Sequence, residues 1–281
     1  YDRIMLSPVL AGEKRFDDII VHDDAWYAKN SVDLRKGEPV VAIDRDARTV
    51  KTAAGSVESY DSLIVATGSK PVLIPVPGAE LPGVVTFRDL DDVNAMLDAA
   101  RKGGSAVVIG GGLLGLEAAA GLAAKGMKTT VIHLMPTLME RQLDPNAAYL
   151  LQRAIEKRGI EILTGANTSA ILGDGKVEAV RLEDGRTIAA DLVVMAVGIR
   201  PNTVLAKEAG LEVKRGLLVD DFLRTSDDNI YAVGECVEHR GQCYGLVAPL
   251  YEMAKTLAAK LAGDEVQGYT GSATSTKLKV T

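Results

Sequence analysis

The residues best placed to do chemistry are three glycines, Gly110, Gly112 and Gly115, in "AVVIGGGLLGLEAAAGLAAKG". An apolar strand-forming run precedes them and a helix-forming run follows. In that context Gly110 allows a tight turn, Gly112 lets the backbone approach a pyrophosphate, and Gly115 lets helix and strand pack closely. Leu113 and Leu114 open the helix. Its N-terminus offers unpaired N–H groups and a partial positive charge to phosphates. Gly126 suits the residue that stops the helix. The next strand, "TTVIH", ends in His133, where a carboxylate commonly accepts hydrogen bonds from an adenosine ribose. His133 is read either as a packed or capping residue or as part of the nucleotide site. With Arg141 downstream, the choice between NADH and NADPH stays open. Glu117 either complements the helix dipole or faces the nicotinamide end of a cofactor.

A second candidate site lies in "TSDDNIYAVGECVEHRG", where an apolar strand runs into Gly234 and Glu235. A carboxylate at such a strand end accepts hydrogen bonds from a polyol, as in the ribityl chain of a flavin. Cys236 and Cys243 are the only cysteines. They are not in a C-x-x-C pair and read as buried or incidental thiols.

The elements that must position these residues come twice. "TVKTAAGSVESYDSLIVATGSKP" at 49–71 aligns without a gap on "AVRLEDGRTIAADLVVMAVGIRP" at 179–201. Gly55 meets Gly185, Asp61 meets Asp191, Gly68 meets Gly198 and Pro71 meets Pro201. Both copies predict two short strands around a glycine turn, then an apolar strand ending at glycine. With a two-residue shift, "VDLRKG" at Val32 echoes "IEILTG" at Ile160. Gly110 precedes Ile160 by 50 positions, and the same spacing from Val32 runs past Tyr1. The expectation is therefore two related α/β nucleotide-binding domains, the first lacking its own glycine turn. Tyr1 in place of Met, and an end at Thr281 straight after "KLKV", lead to the expectation of a fragment.

Composition narrows the partners. Of 281 residues, 47% are hydrophobic, 25% charged and only 4% aromatic, with a net charge of -6. Few aromatics and no basic run argue against nucleic acid. No apolar stretch reaches the length of a membrane span, and no signal-peptide pattern is present. Two cysteines make no disulfide framework, and a cytoplasmic setting is expected.

In order, "YDSLIVATGS", "GGGLLGLE", "AVGIRPN" and "IYAVGEC" resemble the two-dinucleotide flavoprotein superfamily, whose members bind FAD and NAD(P)H in two similar domains. "YDRIMLS", "HLMPTLMERQLD", "GECVEHRG", "YGLVAPLYE" and "STKLKVT" are similar, more narrowly, to the large subunits of assimilatory NAD(P)H-dependent nitrite reductases. The resemblance implies two Rossmann-like three-layer domains, with NAD(P)H-domain residues 95–212 inserted between FAD-domain segments 1–94 and 213–265. Residues 266–281 would lead on to a further region. "FRDLDDVNAMLDAARKGG" would be the crossing helix, with Asp89 as its N-cap.

The resemblance also implies roles for single residues. Arg3, Leu6 and Ser7 would lie along the FAD, Val40 at its adenine, and Thr67 and Gly68 near its phosphates. Glu235 would hold the ribityl chain, where relatives more usually have Asp, and Val247 would begin a helix aimed at the flavin ring. Pro8 stands where many relatives carry a lysine. Hydride transfer from nicotinamide to flavin needs alignment rather than an acid–base residue, so none is assigned. Electrons would pass to iron–sulfur and sirohaem centres in downstream domains of the same polypeptide, because two cysteines cannot hold a cluster that takes four. A small subunit and a homodimer are further implied partners. Weak or absent FAD is expected in the isolated chain. The alternatives are a stand-alone rubredoxin or ferredoxin reductase, the electron-transfer subunit of a nitrate reductase, and a non-catalytic module that binds NADH.

Overall fold

A computed structural model describes residues 1–280. The chain forms two compact units. One comprises Tyr1–Asp24, Pro71–Gly198 and the C-terminal stretch from Lys277; the other comprises Ala25–Lys70 and Ile199–Thr276.

The first unit is built on five parallel strands: β1 (Val84–Thr86), β2 (Ser105–Ile109), β3 (Lys128–His133), β4 (Glu161–Thr164) and β5 (Leu192–Met195). Their spatial order is β1-β5-β2-β3-β4. Side chains alternate across the sheet because successive residues of a strand face opposite ways. Ala106, Val108, Val131, Leu192 and Val194 enter the core on one face. Val107, Ile109, Ile132, Val193 and Met195 enter the core on the other. That second core is shared with the antiparallel strands Thr168–Leu172, Ala179–Leu182 and Thr187–Ala189. Burial on both faces explains why these strands are continuous apolar runs.

The first core is closed by helices. Helix α1 spans Leu6–Ala11, α2 Leu90–Lys102, α3 Leu113–Ala124 and α4 Pro145–Glu156. Asp89 caps α2, its carboxylate accepting from the Asp92 N–H at 3.1 Å. After α3, Gly126 takes a left-handed φ of 87°. Glu117 apart, helix α3 is small and apolar on every side, and all residues from Gly115 to Leu122 are buried. Such a helix must be covered on both faces. The sheet covers one, and α1 covers the other. A Cβ on Gly121 would lie 2.7 Å from Leu10 Cγ. This need for a cover is why residues 1–24 fold with the first unit, whereas sequence logic grouped all of 1–94 together.

The second unit repeats part of the first. Strands Val40–Asp44, Thr49–Thr52 and Val57–Ser59 form its antiparallel sheet. Its register matches that of the first unit's antiparallel sheet. Val50 pairs with Ile43 and Glu58, as Val180 pairs with Ile171 and Ile188. A bulge falls between Val40 and Ala42 in one sheet and between Thr168 and Ala170 in the other. The two-residue shift in the sequence alignment enters just after it, in the hairpin loop, which is 45–48 in one copy and 173–178 in the other. Strand Leu63–Val65 pairs in parallel with Ile230–Ala232, as β5 does with β1. The Leu63 N–H donates to the Asn229 carbonyl at 2.9 Å and the Val193 N–H to the Gly83 carbonyl at 2.8 Å. Helix α5 (Val247–Leu261) buries Met253 and Leu257 in this unit's core.

Three apolar side chains of the stretch expected to lead into another region pack on the two cores. Tyr269 is buried in the second unit's core, and Leu278 and Val280 lie against the first unit's core.

The α1–α3 contact predicts a change of sign. Gly121→Ala should destabilise by about 1–3 kcal/mol through overpacking against Leu10. In a Leu10→Ala background the same change should be neutral or stabilising, because alanine is the better helix former by up to about 1 kcal/mol. Denaturant midpoints of the four proteins in this cycle test it, and additive losses would refute the contact.

Candidate nucleotide-binding site

The glycine turn joins the end of β2 to the start of α3. Gly110 donates its N–H to the Ile132 carbonyl at 2.8 Å, tying the turn to β3. Its φ is 124°, and a Cβ there would lie 2.3 Å from the Ala196 carbonyl oxygen. A Cβ on Gly115 would lie 1.9 Å from the Gly110 carbonyl oxygen. Both positions therefore need glycine for the protein's own packing. Gly112 differs. Its φ of -86° suits any residue, and a Cβ there would meet nothing within 4 Å. As the N-cap of α3 it has no side chain to satisfy the helix's first N–H groups. The first turn is open to an outside acceptor. Leu113 packs on the core, and Leu114 is exposed. Gly198, at φ 111°, is two residues beyond Ala196, whose N–H bonds the Ile109 carbonyl. The turn has the shape and the free donors a pyrophosphate needs.

Two side-by-side supports hold the turn, of which sequence logic missed Gly111 and left His133 open between packing and binding. Gly111 is one: a Cβ there would lie 2.7 Å from both the His133 ring and Leu138. The His133 ring is the other. Its Nδ1 accepts from the Gly111 N–H at 3.0 Å, and its Nε2 faces a Glu140 carboxylate oxygen at 3.1 Å. Both ring nitrogens are thus occupied by protein.

Glu117 lies beyond the first turn of α3 and accepts no hydrogen bond from its N–H groups. It is buried, as is Ser7. Oε2 accepts from the Ser7 hydroxyl. Oε1 accepts from the Lys279 backbone N–H at 3.0 Å and from Lys279 Nζ at 2.9 Å. With Pro8, Ala11, Glu13, Ala120 and Gly121 these residues line a small pocket. No local pattern could reveal Lys279, which is 162 positions away in the chain. Arg3, in the preceding turn, is exposed, and Leu6 is in the core.

The second unit gathers its own cluster. The Thr67 hydroxyl donates to the Asn202 carbonyl at 2.7 Å. Asn202 N–H donates to the Gly68 carbonyl at 2.9 Å. The Ser69 hydroxyl donates to Glu235 at 2.9 Å, and Gly234 turns with φ 94°. Thr67, Gly68, Gly234 and Glu235, remote in sequence, thus converge where two strand ends meet. Val40 starts its strand and is exposed, and Val247 opens α5 and is exposed. Arg3, Leu6 and Ser7 belong to the first unit. Cys236 is buried, with Sγ 3.3 Å from the Val233 carbonyl. Burial pushes its thiol up, and pushes up that of half-buried Cys243. Neither is bonded to the other.

Paired α/β units with a glycine turn at the mouth of a parallel sheet define a dinucleotide-dependent oxidoreductase fold. Residues 1–256 match the family described as pyridine nucleotide-disulphide oxidoreductase, and the chain belongs to it. Among named relatives, it is 53% identical to "Nitrite reductase [NAD(P)H]" of Bacillus subtilis (strain 168), over 100% of this chain and 35% of that protein. It is 48% identical to the same organism's "Assimilatory nitrate reductase electron transfer subunit", over 100% of this chain and 36% of that protein. The chain thus spans about a third of the length of these relatives. A solved ferredoxin reductase from Rhodopseudomonas palustris superposes with a TM-score of 0.90 at 32% identity, covering 96% of this chain and 69% of that one. Among the described residues no helix is long and apolar enough to cross a membrane.

Removing the Lys279 ammonium leaves the buried Glu117 carboxylate without its cation. Lys279→Met should lower stability by about 1–3 kcal/mol, less than for a fully buried pair because the lysine is partly wet. Adding Glu117→Gln should recover much of that loss. Urea midpoints of both variants measure it, and a silent Lys279→Met would count against the pair.

Proposed function

We propose that this chain is the NAD(P)H- and FAD-binding module of an assimilatory nitrite reductase, taking electrons from NAD(P)H for the reduction of nitrite to ammonia. The observation that carries the nucleotide part is Gly112, a glycine that the protein's own packing does not require, at a helix start with open donors. The relatives named above support the choice of nitrite reductase. The 48% identity to the nitrate reductase subunit favours a second reading, in which the acceptor is that enzyme.

The first unit's glycine turn would hold the pyrophosphate of NAD(P)H through the α3 N–H groups. Thr67, Gly68, Gly234 and Glu235 fit a second, flavin-side cluster, because a half-buried carboxylate and hydroxyls at a strand end match a polyol. Val40 and Val247, in the same unit, complete that proposed FAD set. Bound FAD supplies two-electron acceptance and one-electron release. The chain's own groups bind and orient, and no side chain needs to move a proton. Iron–sulfur and sirohaem centres would lie in other domains of the parent polypeptide, with a small subunit or a second copy as further partners. A cytoplasmic setting suits the reducing chemistry.

Gly112→Ala tests this reading directly. It should leave stability within about 0.5 kcal/mol, because the added methyl meets open space. It should weaken NADH and NADPH binding by about tenfold or more, through steric obstruction of the pyrophosphate. Calorimetric titration and denaturant melts give both numbers. Protein reconstituted with FAD should lose its visible flavin absorbance on anaerobic addition of NADH or NADPH. Absence of dinucleotide binding would sink the reading. Dinucleotide binding without flavin reduction would reduce it to a binding module.

A further inference from the structure

His133 ends β3, the strand next to the glycine-turn strand, at the position from which this fold commonly presents a carboxylate to the adenosine ribose. The imidazole cannot fill that role. Nδ1 accepts from the Gly111 N–H at 3.0 Å, so the ring's hydrogen is on Nε2. Nε2 in turn is 3.1 Å from a Glu140 carboxylate oxygen. The ring is buried beneath the turn.

The loop after β3 folds back over the same turn. The Met139 N–H donates to the Gly111 carbonyl at 3.1 Å, and Met139 takes the left-handed φ of 50°. This brings Glu140, seven residues beyond the strand end, to the edge of the turn. Its side chain keeps 30% of its surface exposed. One carboxylate oxygen is engaged by His133, and among the described residues no donor occupies the other. Exposed Leu134 and Met135 lie just past the strand end, apolar surface of the kind an adenine covers.

We infer that Glu140, oriented by His133, supplies the carboxylate that the strand end lacks, and that it makes this site selective for NADH over NADPH. Its free oxygen would accept from the ribose hydroxyls of NADH. The same charge opposes the 2′-phosphate of NADPH, a dianion or nearly so at neutral pH. Arg141, the next residue, is exposed and of the opposite sign, but nothing anchors it to the turn as His133 anchors Glu140.

The inference rests on the proposal that the glycine turn binds a dinucleotide, and calorimetry on the purified chain separates the two. NADH should bind at least about tenfold tighter than NADPH, the scale of a close like-charge opposition. Glu140→Gln keeps the shape and removes the charge. It should bring the ratio close to one, weakening NADH and strengthening NADPH. Glu140→Arg should reverse the preference. The Glu140→Gln protein should melt close to the parent, since its amide oxygen can still accept from His133 Nε2. A parent that prefers NADPH, or a folded Glu140→Gln protein with an unchanged ratio, overturns the inference while leaving dinucleotide binding intact. Failure of the parent to bind either coenzyme overturns the underlying reading instead.

Discussion

The contact between Gly115 and the Gly110 carbonyl leaves no space for a single carbon, and the rest of the first unit follows from it. It draws the start of α3 tight against the β2 end, so the helix N-terminus points at the place where the chain turns. The same closeness demands small residues along the helix, and Ala118, Ala119, Ala120 and Gly121 supply them. A helix of such residues presents no polar face to water. Its stability depends on tertiary cover rather than on its own amphipathicity. Leu6 and Leu10 provide that cover, and the Ser7–Glu117–Lys279 cluster pins it in place.

A buried carboxylate on an otherwise apolar helix is costly unless its oxygens are satisfied. Glu117 meets that condition with one hydroxyl, one backbone N–H and one ammonium. These come from the two ends of the chain, at Ser7 and Lys279. One residue of α3 therefore couples the N-terminal and C-terminal segments of this unit. The arrangement also explains why the stretch after Lys277 packs with the first unit although the chain just before it packs with the second.

What was legible in the sequence was local or periodic. Gly110, Gly112 and Gly115 could be read because their spacing reflects one turn and one helix start. The paired units could be read because the register of Val180 with Ile171 and Ile188 recurs at Val50 with Ile43 and Glu58, and alternation writes register into sequence. Asp89 and Gly126 obeyed ordinary capping rules. The grouping of residues 1–24 was not legible, because it depends on which face of α3 needs covering. Lys279 was not legible, because an ion pair across 162 positions leaves no periodic trace. His133 was ambiguous for a related reason. Its role turns on the path of the loop that follows, and that path is fixed by a hydrogen bond to Gly111.

The difference between Gly112 and its neighbours separates packing from ligand binding within one motif. Gly110, Gly111 and Gly115 are each forced by a protein atom that a side chain would strike. A sequence that folded but bound nothing would need those three and could place alanine at 112. Retaining glycine there loses backbone entropy on folding and returns no packing. The position makes physical sense when a bulky anion approaches the backbone at that point.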